Sequence, residues 1–173
     1  MDHIDGSHGS AVCGGLVPVP GTEDTMASTQ SEVTALSEVR TLLDMREEAC
    51  RAKDIDRLMS LYSADCLYFD VVPPLQFAGS AAIRRNFVRW FDEYKGAISL
   101  ETRDLDISAS GGVAWARMLH RDSGTMKDGQ ERAIWVRSTV CCRQSNHKWL
   151  ITHEHISLPV DLKSGKATPD LVP

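Results

Sequence analysis

The spacing of apolar residues in this sequence changes near Gly96, and that change is what most constrains the fold. Before Gly96, apolar residues recur every three or four positions, which is the spacing of amphipathic helices. After Gly96 they alternate with polar residues, as they do in β-strands that bury one face. Helices followed by consecutive strands predict an α+β domain in which an antiparallel sheet carries the helices on one face.

Three helices are predicted in the first half of the chain. The first is expected to begin at Thr29, because Glu32 three residues later completes a capping-box pattern. The second is expected to begin at Asp54, and the third at Gly79-Ser80. The apolar faces that define the second and third helices are Ile55, Leu58, Met59 and Tyr62, and Ile83, Phe87, Trp90 and Phe91.

Five strands are predicted from the alternation of apolar and polar residues and from the turn residues between these segments. They are expected at residues 66–72, 97–107, 113–121, 131–142 and 148–157. Residues 1–28 are rich in Gly, Ser, Pro and Asp without a period, and they are predicted to form a disordered N-terminal tail. Residues 29–160 are the predicted folded domain, and residues 161–173 a loose polar C-terminal tail.

Length, charge and cysteine content narrow the function classes. A chain of 173 residues is long enough for one domain with a core. The net charge is −5 without a basic stripe, which argues against nucleic acid and anionic membranes as partners. No apolar run approaches the roughly 20 residues of a membrane span, and the N-terminus does not resemble a secretory signal. The five scattered cysteines, with adjacent Cys141 and Cys142, favour reduced thiols and a cytoplasmic location.

Two stretches of the sequence resemble a known superfamily. The segment from Leu61 to Arg84, LYSADCLYFDVVPPLQFAGSAAIR, resembles the ketosteroid isomerase family in its helix end, its Asp after a strand and its Gly-Ser-Ala-Ala-Ile-Arg helix start. The ending from Trp149 to Pro159, WLITHEHISLP, is similar to the SnoaL-like branch of the same superfamily, named for nuclear transport factor two. Together the resemblance covers about residues 30–160.

The resemblance implies a fold and a class of function. The fold is a cystatin-like cone, in which three N-terminal helices pack on the concave face of a curved antiparallel sheet and enclose a pocket. The implied function is acid–base catalysis of the isomerase, cyclase or dehydratase type on a small, largely apolar organic molecule, without a cofactor and in a homodimer formed through the sheet. One alternative is a non-catalytic ligand-binding or self-association domain, and another is metal-dependent or carbonic anhydrase-like hydration.

Asp70 is the first candidate catalytic residue. In the resemblance it falls on the general base that moves a proton between carbons of a ketone, and apolar neighbours suit that role. The alternative is that Asp70 caps a turn before Pro73. The family's oxyanion tyrosine falls at Arg46, which either holds an anionic substrate group or lies exposed on a helix.

His153 and His155 alternate along the last strand, so they are expected on one face with Trp149 and Ile151. The resemblance implies that this face lines the concave surface, where a histidine acts as acid or base, or is buried as a structural residue. The same pair also suits a metal with His120 or Asp70 as third ligand. No further ligand falls at a matching spacing, so no metal site is predicted.

The predicted ligand-binding residues come from four places in the chain. The resemblance implies that Arg137 and Thr139 look toward the cavity, where Arg137 binds a carboxylate ligand or forms a salt bridge with Asp70 or Glu154. Trp90 is either a core residue or a ligand platform. The full predicted set is Arg137, Thr139, His120, Tyr68 and Trp90.

Overall fold

Three helices and eight strands make up the part of the chain that the computed structural model describes, residues 22–173, with side chains from residue 30 onward. The helices are α1 (Thr22–Arg51), α2 (Ile55–Met59) and α3 (Ser80–Glu93). The strands are β1 (Tyr62–Phe69), β2 (Phe77–Ala78), β3 (Ser99–Ser110), β4 (Val113–Thr125), β5 (Glu131–Ser145), β6 (Lys148–Ser157), β7 (Val160–Asp161) and β8 (Lys166–Ala167). None of the helices in residues 22–173 is long and apolar enough to cross a membrane.

The helices begin near the predicted positions, with two differences. α1 starts at Thr22 rather than Thr29, so residues 22–28 of the predicted tail are helical, while residues 1–21 lie outside the described part. The capping pattern of Thr29 and Glu32 is a short local signal, and in the structure it lies inside a longer helix. α2 is capped as predicted, since the Asp54 side chain accepts a hydrogen bond from the Arg57 amide at 3.0 Å. α2 is short, however, and Tyr62 opens β1 instead of continuing the helix.

Six strands form a mixed sheet in the order β2-β1-β6-β5-β4-β3. The pairs from β3 to β6 are antiparallel, as predicted, but β1 runs parallel to β6. The prediction of a purely antiparallel sheet is therefore wrong in this one pairing. In the chain, β2, α3 and three further strands lie between β1 and β6, so the direction of β6 is set by the preceding hairpins and not by a turn from β1. β7 and β8 form a separate short pair within the predicted C-terminal tail.

A β-bulge in β6 changes which side chains face the helices. In the pairing with β5, Cys142 lies opposite Ile151 and Cys141 opposite His153, so Thr152 is an extra residue. Its hydroxyl donates to the Cys141 carbonyl oxygen at 3.2 Å. Before the bulge the buried residues are Trp149 and Ile151; after it the buried residue is Glu154. The side-chain alternation of β6 thus changes phase at Thr152.

The hydrophobic core lies between the helices and the inward faces of the sheet. α1 contributes Val39, Leu42 and Leu43, which are buried, and α3 contributes Ile83, Phe87 and Phe91. They pack against alternating residues of the central strands, Ala114, Ala116, Met118, Val136, Val140 and Cys142. This α+β arrangement of helices on one face of a curved sheet leaves a cavity beside α3.

Gly124 marks a close approach of β4 to the end of α3. A Cβ atom at Gly124 would lie 3.1 Å from Tyr94 Cδ1 and 3.2 Å from the Ala97 carbonyl oxygen. Gly124→Ala should therefore lower the free energy of unfolding by about 1–3 kcal/mol, measured by urea denaturation. Gly96→Ala is the matched control, because no atom lies within 4 Å of its Cβ position. Equal losses in both variants would contradict the steric explanation.

Candidate functional site

A cavity of about 80 Å³ lies between α3 and the inward faces of β4 and β5. Its volume suits one small organic group or roughly a few water molecules. The apolar lining residues are Val71, Val72, Phe87, Trp90, Leu100, Ile134, Val136 and Ile156. The polar and charged lining residues are Arg46, Tyr68, Asp70, Asn86, Arg89, Glu93, His120, Asp122 and Arg132. Apolar surface combined with convergent polar groups is typical of a small-molecule site.

Asp70 lies directly after β1, partly buried, at the edge of this cavity. Its Oδ2 accepts a hydrogen bond from Asn86 Nδ2 at 2.6 Å, and its Oδ1 accepts one from the Val71 amide at 2.6 Å. Asn86 is itself buried in α3. Asp70 thus presents an oriented carboxylate to the cavity and also contacts the backbone just before Pro73. Its role as a general base stays a prediction.

Asp122 is a second carboxylate in the cavity, and the sequence analysis did not identify it. It is 9% exposed, and its Oδ2 accepts hydrogen bonds from the Tyr94 hydroxyl at 2.8 Å and from Trp90 Nε1 at 3.2 Å. Its Oδ1 is buried and has no partner among residues 22–173. Burial and the negative charge of Asp122 raise the pKa of Tyr94. Oδ1 has almost no accessible surface, so the protein encloses it at a cost of about 1–3 kcal/mol for the missing hydrogen bond.

α3 orients both carboxylates. Asn86 and Trp90 lie one helical turn apart, so their side chains project from the same face. Asn86 donates to Asp70, and Trp90 donates to Asp122. One helix face therefore holds two acidic groups, one just after β1 and one in β4, against a single cavity.

His120 is buried in β4 and lines the cavity, while its predicted role in ligand binding stays a prediction. Its Nδ1 lies 2.9 Å from Thr102 Oγ1, and the Thr102 hydroxyl donates its proton to the Glu47 carboxylate. Because that hydroxyl has only one proton, Nδ1 must be the donor to Thr102, which leaves Nε2 unprotonated. Burial, followed by the positive charges of Arg46 and Arg51, lowers the pKa of His120 to about 3. At neutral pH the imidazole is therefore uncharged.

Arg46, Tyr62 and Glu154 form a buried charged cluster beside the cavity. Arg46 Nη2 donates to Glu154 Oε1 at 2.5 Å, and Arg46 Nε lies 2.9 Å from the Tyr62 hydroxyl oxygen and 3.2 Å from Glu154 Oε2. The Tyr62 hydroxyl donates to Glu154 Oε2 at 2.5 Å. Arg46 is 5% exposed and Glu154 is 0% exposed. The alternative of an exposed helix arginine is therefore wrong.

His153 and His155 lie on the outer face of the sheet, so the prediction that they line the concave surface is wrong. The bulge at Thr152 moves Glu154, and not the histidines, to the inner face. The Phe69 ring contacts both imidazoles edge-on, with centroid distances of 4.9 Å and 5.7 Å. His153 Nδ1 also lies 2.8 Å from the Leu67 carbonyl oxygen.

Arg137 and Thr139 are exposed on the same outer face, and neither lines the cavity. Thr139 is paired with His155 and Arg137 with Ser157 in the sheet register. Inward positions of β5 are the even-numbered residues, such as Val136 and Val140, so the odd-numbered pair is directed away from the helices. Arg137 forms no salt bridge with Asp70 or Glu154 within the described chain, and Glu154 pairs with Arg46 instead.

Four of the predicted site residues are thus brought together, and four are not. Tyr68, Asp70, Trp90 and His120 line the cavity, whereas the two histidines of β6 and the two polar residues of β5 lie across the sheet. His120 cannot share a metal with His153 and His155, because they project from opposite faces. Among residues 22–173 no three His, Cys, Asp or Glu side chains are grouped as metal ligands.

The comparisons with known proteins agree with this architecture. Residues 39–161 match the family model described as SnoaL-like domain. An NTF2-like protein from Pseudomonas putida KT2440 is 31% identical with a TM-score of 0.75, over 82% of this chain and 98% of that one. No curated protein matches the chain significantly.

Two further solved structures show the same fold at lower identity. A nuclear transport factor 2 (NTF2-like) superfamily protein from Salmonella enterica serovar Typhimurium LT2 is 18% identical, with a TM-score of 0.68 over 79% of this chain and 99% of that one. A ketosteroid isomerase-like protein from Erwinia carotovora atroseptica SCRI1043 is 16% identical, with a TM-score of 0.62 over 70% and 94%. With its α+β cystatin-like fold, the chain belongs to the SnoaL-like domain family of the NTF2-like superfamily.

Proposed function

We propose that this chain is an acid–base enzyme of the isomerase, cyclase or dehydratase type, acting on a small, largely apolar organic molecule. The observation that carries the proposal is convergence in one cavity. The carboxylates of Asp70 and Asp122 and the neutral imidazole of His120 all line the same partly apolar space beside α3. Proton acceptors gathered at an apolar wall are what proton transfer at carbon or oxygen requires.

Asp70 is the proposed general base. Asn86 and the Val71 amide each hold one of its oxygens, so the carboxylate enters the reaction already oriented. It would take a proton from a carbon beside a carbonyl group and return it to another atom of the same molecule. In an isomerase that atom is a different carbon, whereas in a dehydratase it is the oxygen of the leaving hydroxyl.

His120 is proposed to position the substrate through a hydroxyl group. It donates from Nδ1 to Thr102, so Nε2 is left as an acceptor. Asp122 adds a second carboxylate to the same wall, and its Oδ2 is held by Tyr94 and Trp90. This wall favours hydroxylated carbonyl compounds over hydrocarbons.

Asp70→Asn should abolish most of the activity. The substrate panel is a set of small cyclic ketones and β-hydroxy ketones, incubated with the protein in D₂O, and NMR measures the loss of carbon-bound hydrogen. The wild-type chain should accelerate exchange in at least one compound, and Asp70→Asn should slow it by about a hundredfold or more. The asparagine keeps the size of the side chain but cannot accept the proton.

His155→Asn is the matched control. His155 is exposed on the outer face of the sheet, so its replacement should leave the rate of hydrogen exchange unchanged. Full exchange in Asp70→Asn would contradict the assignment of the base. Compounds that bind in the cavity without exchange in the wild-type chain would favour the non-catalytic ligand-binding alternative. The homodimer through the outer sheet face, where Val113 and Trp115 are exposed, stays a prediction.

A further inference from the structure

A chain of hydrogen bonds connects the cavity with a second cleft, which lies between α1 and β3. Glu47 of α1 and Thr102 of β3 line that cleft and not the cavity, whereas His120 lines the cavity. Thr102 and His120 are opposite one another in the register of β3 and β4. The Thr102 hydroxyl donates to Glu47 Oε1, and His120 Nδ1 lies 2.9 Å from the same hydroxyl oxygen. A carboxylate of the first helix is thus connected to a cavity residue through one hydroxyl group.

The direction of this chain of hydrogen bonds follows from its outer end. Arg51 Nη2 donates to Glu47 Oε2 at 2.8 Å and to the Leu100 carbonyl oxygen at 2.8 Å, so the Glu47 carboxylate is ion-paired and held in place. A carboxylate only accepts hydrogen bonds, and the single proton of Thr102 therefore points to Glu47. The Thr102 oxygen is left to accept a hydrogen bond from His120 Nδ1. Glu47 thus determines which ring nitrogen of His120 carries the proton.

The second ring nitrogen of His120 is the one left to the cavity. Nε2 makes no hydrogen bond within residues 22–173 and is not among the fully buried atoms that lack a partner there. Burial, followed by the charges of Arg46 and Arg51, lowers the pKa of His120 to about 3, so the ring takes up no second proton at neutral pH. Nε2 therefore presents a lone pair, which accepts a hydrogen bond from a hydroxyl group and repels a carbonyl oxygen.

We propose that Glu47 and Thr102 are positioning residues that set the ligand specificity of the cavity by holding His120 in the form protonated at Nδ1. The preferred ligand carries a hydroxyl group that donates to Nε2, and a compound that offers only a carbonyl or ether oxygen at this point is disfavoured. This inference rests on the proposed function, in which His120 positions the substrate through a hydroxyl group. It adds the residues outside the cavity that impose this choice, and both act through His120 without touching the ligand.

The first test measures the position of the ring proton directly. Nitrogen NMR of the full-length chain, labelled with ¹⁵N, distinguishes a protonated ring nitrogen from an unprotonated one, and the His120→Asn variant assigns the signals. At neutral pH, Nδ1 of His120 should be protonated in the wild-type chain. Glu47→Met removes the acceptor of the Thr102 proton, so Thr102 should donate to Nδ1 and the ring proton should move to Nε2. Asp44→Met is the matched control, because Asp44 lines the same cleft but does not hydrogen-bond to Thr102 in the described chain.

Two variants of Thr102 separate its hydroxyl group from its packing. Thr102→Ser keeps the hydroxyl and should keep Nδ1 protonated. Thr102→Val removes it, and Glu47 Oε1 lies 3.9 Å from Nδ1, beyond hydrogen-bond distance, so the ring proton should move to Nε2. A purely structural role of Glu47 or Thr102 would lower stability without moving this proton. Circular dichroism shows whether each variant is folded, and Thr102→Val carries the test if Glu47→Met does not fold.

The second test compares the binding of cyclohexanol and cyclohexanone, which are similar in size but of which only the alcohol donates a hydrogen bond. Isothermal titration calorimetry measures the two dissociation constants. The preference of the wild-type chain for the alcohol should exceed that of Glu47→Met by about fivefold, the contribution of one hydrogen bond between neutral groups. Asp44→Met should keep the wild-type preference.

Three results would overturn the inference. They are an unprotonated Nδ1 in the wild-type chain, a ring proton that stays on Nδ1 in both Glu47→Met and Thr102→Val, and an equal preference for the alcohol in wild-type and Glu47→Met chains. Failure of the wild-type chain to bind either compound would also remove the proposed specificity.

The inference and the proposed function fail in different ways, because neither of these tests measures turnover. A ring proton and an alcohol preference that depend on Glu47, without hydrogen exchange in any ketone, would overturn the proposed reaction and leave the ligand specificity in place. Ketone exchange that depends on Asp70, with a ring proton that does not respond to Glu47, would leave the proposed function intact and remove Glu47 and Thr102 from it.

Discussion

Replacing Glu154 with leucine should lower the free energy of unfolding by about 3–5 kcal/mol, because Arg46 would remain buried without its counter-charge. Glu154 is 0% exposed and accepts from Arg46 and from the Tyr62 hydroxyl, each at 2.5 Å. Its loss leaves Arg46 Nη2 and the Tyr62 hydroxyl proton without acceptors in the core. Urea denaturation of the purified chain, followed by tryptophan fluorescence, measures the difference.

The double variant Arg46→Met with Glu154→Leu separates charge from packing. Both replacements are apolar and of similar length to the residues that they replace, so no unpaired charge remains. Most of the stability lost in Glu154→Leu should therefore return, since buried ion pairs are often replaceable by apolar residues without loss. A double variant as unstable as the single one would show that shape, and not the unpaired charge, causes the loss.

Lowering the pH from 7 to 4 should destabilise the wild-type chain by about 3 kcal/mol through His120 alone. Burial and the charges of Arg46 and Arg51 lower the pKa of His120 from 6.5 to about 3, so the unfolded chain binds a proton that the folded chain does not. This contribution to stability is complete above pH 6.5 and is lost as the pH falls toward 3. Urea denaturation at several pH values measures it.

His120→Asn is the control for this pH dependence. The amide does not titrate, yet it can still hydrogen-bond to Thr102, which connects His120 to Glu47. The variant should lose less stability than the wild-type chain between pH 7 and pH 4, by about 3 kcal/mol. Parallel stability curves for the two chains would mean that His120 is not held neutral in the folded state.

Most of the fold could be predicted from local patterns. The change of period near Gly96 predicted the succession of helices and strands, and Gly79-Ser80 marked the start of α3 within one residue. The parallel pairing of β1 with β6 was not predictable in this way, because periodicity describes each strand but not its neighbours. The length of α1 was underestimated because a capping pattern is a short signal that a longer helix can run through.

The candidate site was only partly visible in the sequence. Asp70 was found because the motif around it is contiguous. Asp122 could have been found from alternation alone, since it shares the inward face of β4 with Met118 and His120. No such signal indicated the pairing of Arg46 with Glu154. The two residues are separated by 108 positions and come together only when α1 packs on the sheet. The predicted sheet face of His153 and His155 was wrong, because one extra residue in a strand moves every later side chain to the opposite face.

The bulge in β6 also determines how this strand can vary in length during evolution. Loss of Thr152 would remove the extra residue and straighten the strand, while Glu154 would stay inside beside Arg46 and the histidines would stay outside. A deletion of one residue between Glu154 and Ser157 would instead move the side chains of one part of the strand to the opposite face of the sheet. Homologous sequences should therefore tolerate a missing residue at this one position of the strand. In an alignment with such a sequence, the later residues of β6 match their structural equivalents only when the gap is placed at Thr152.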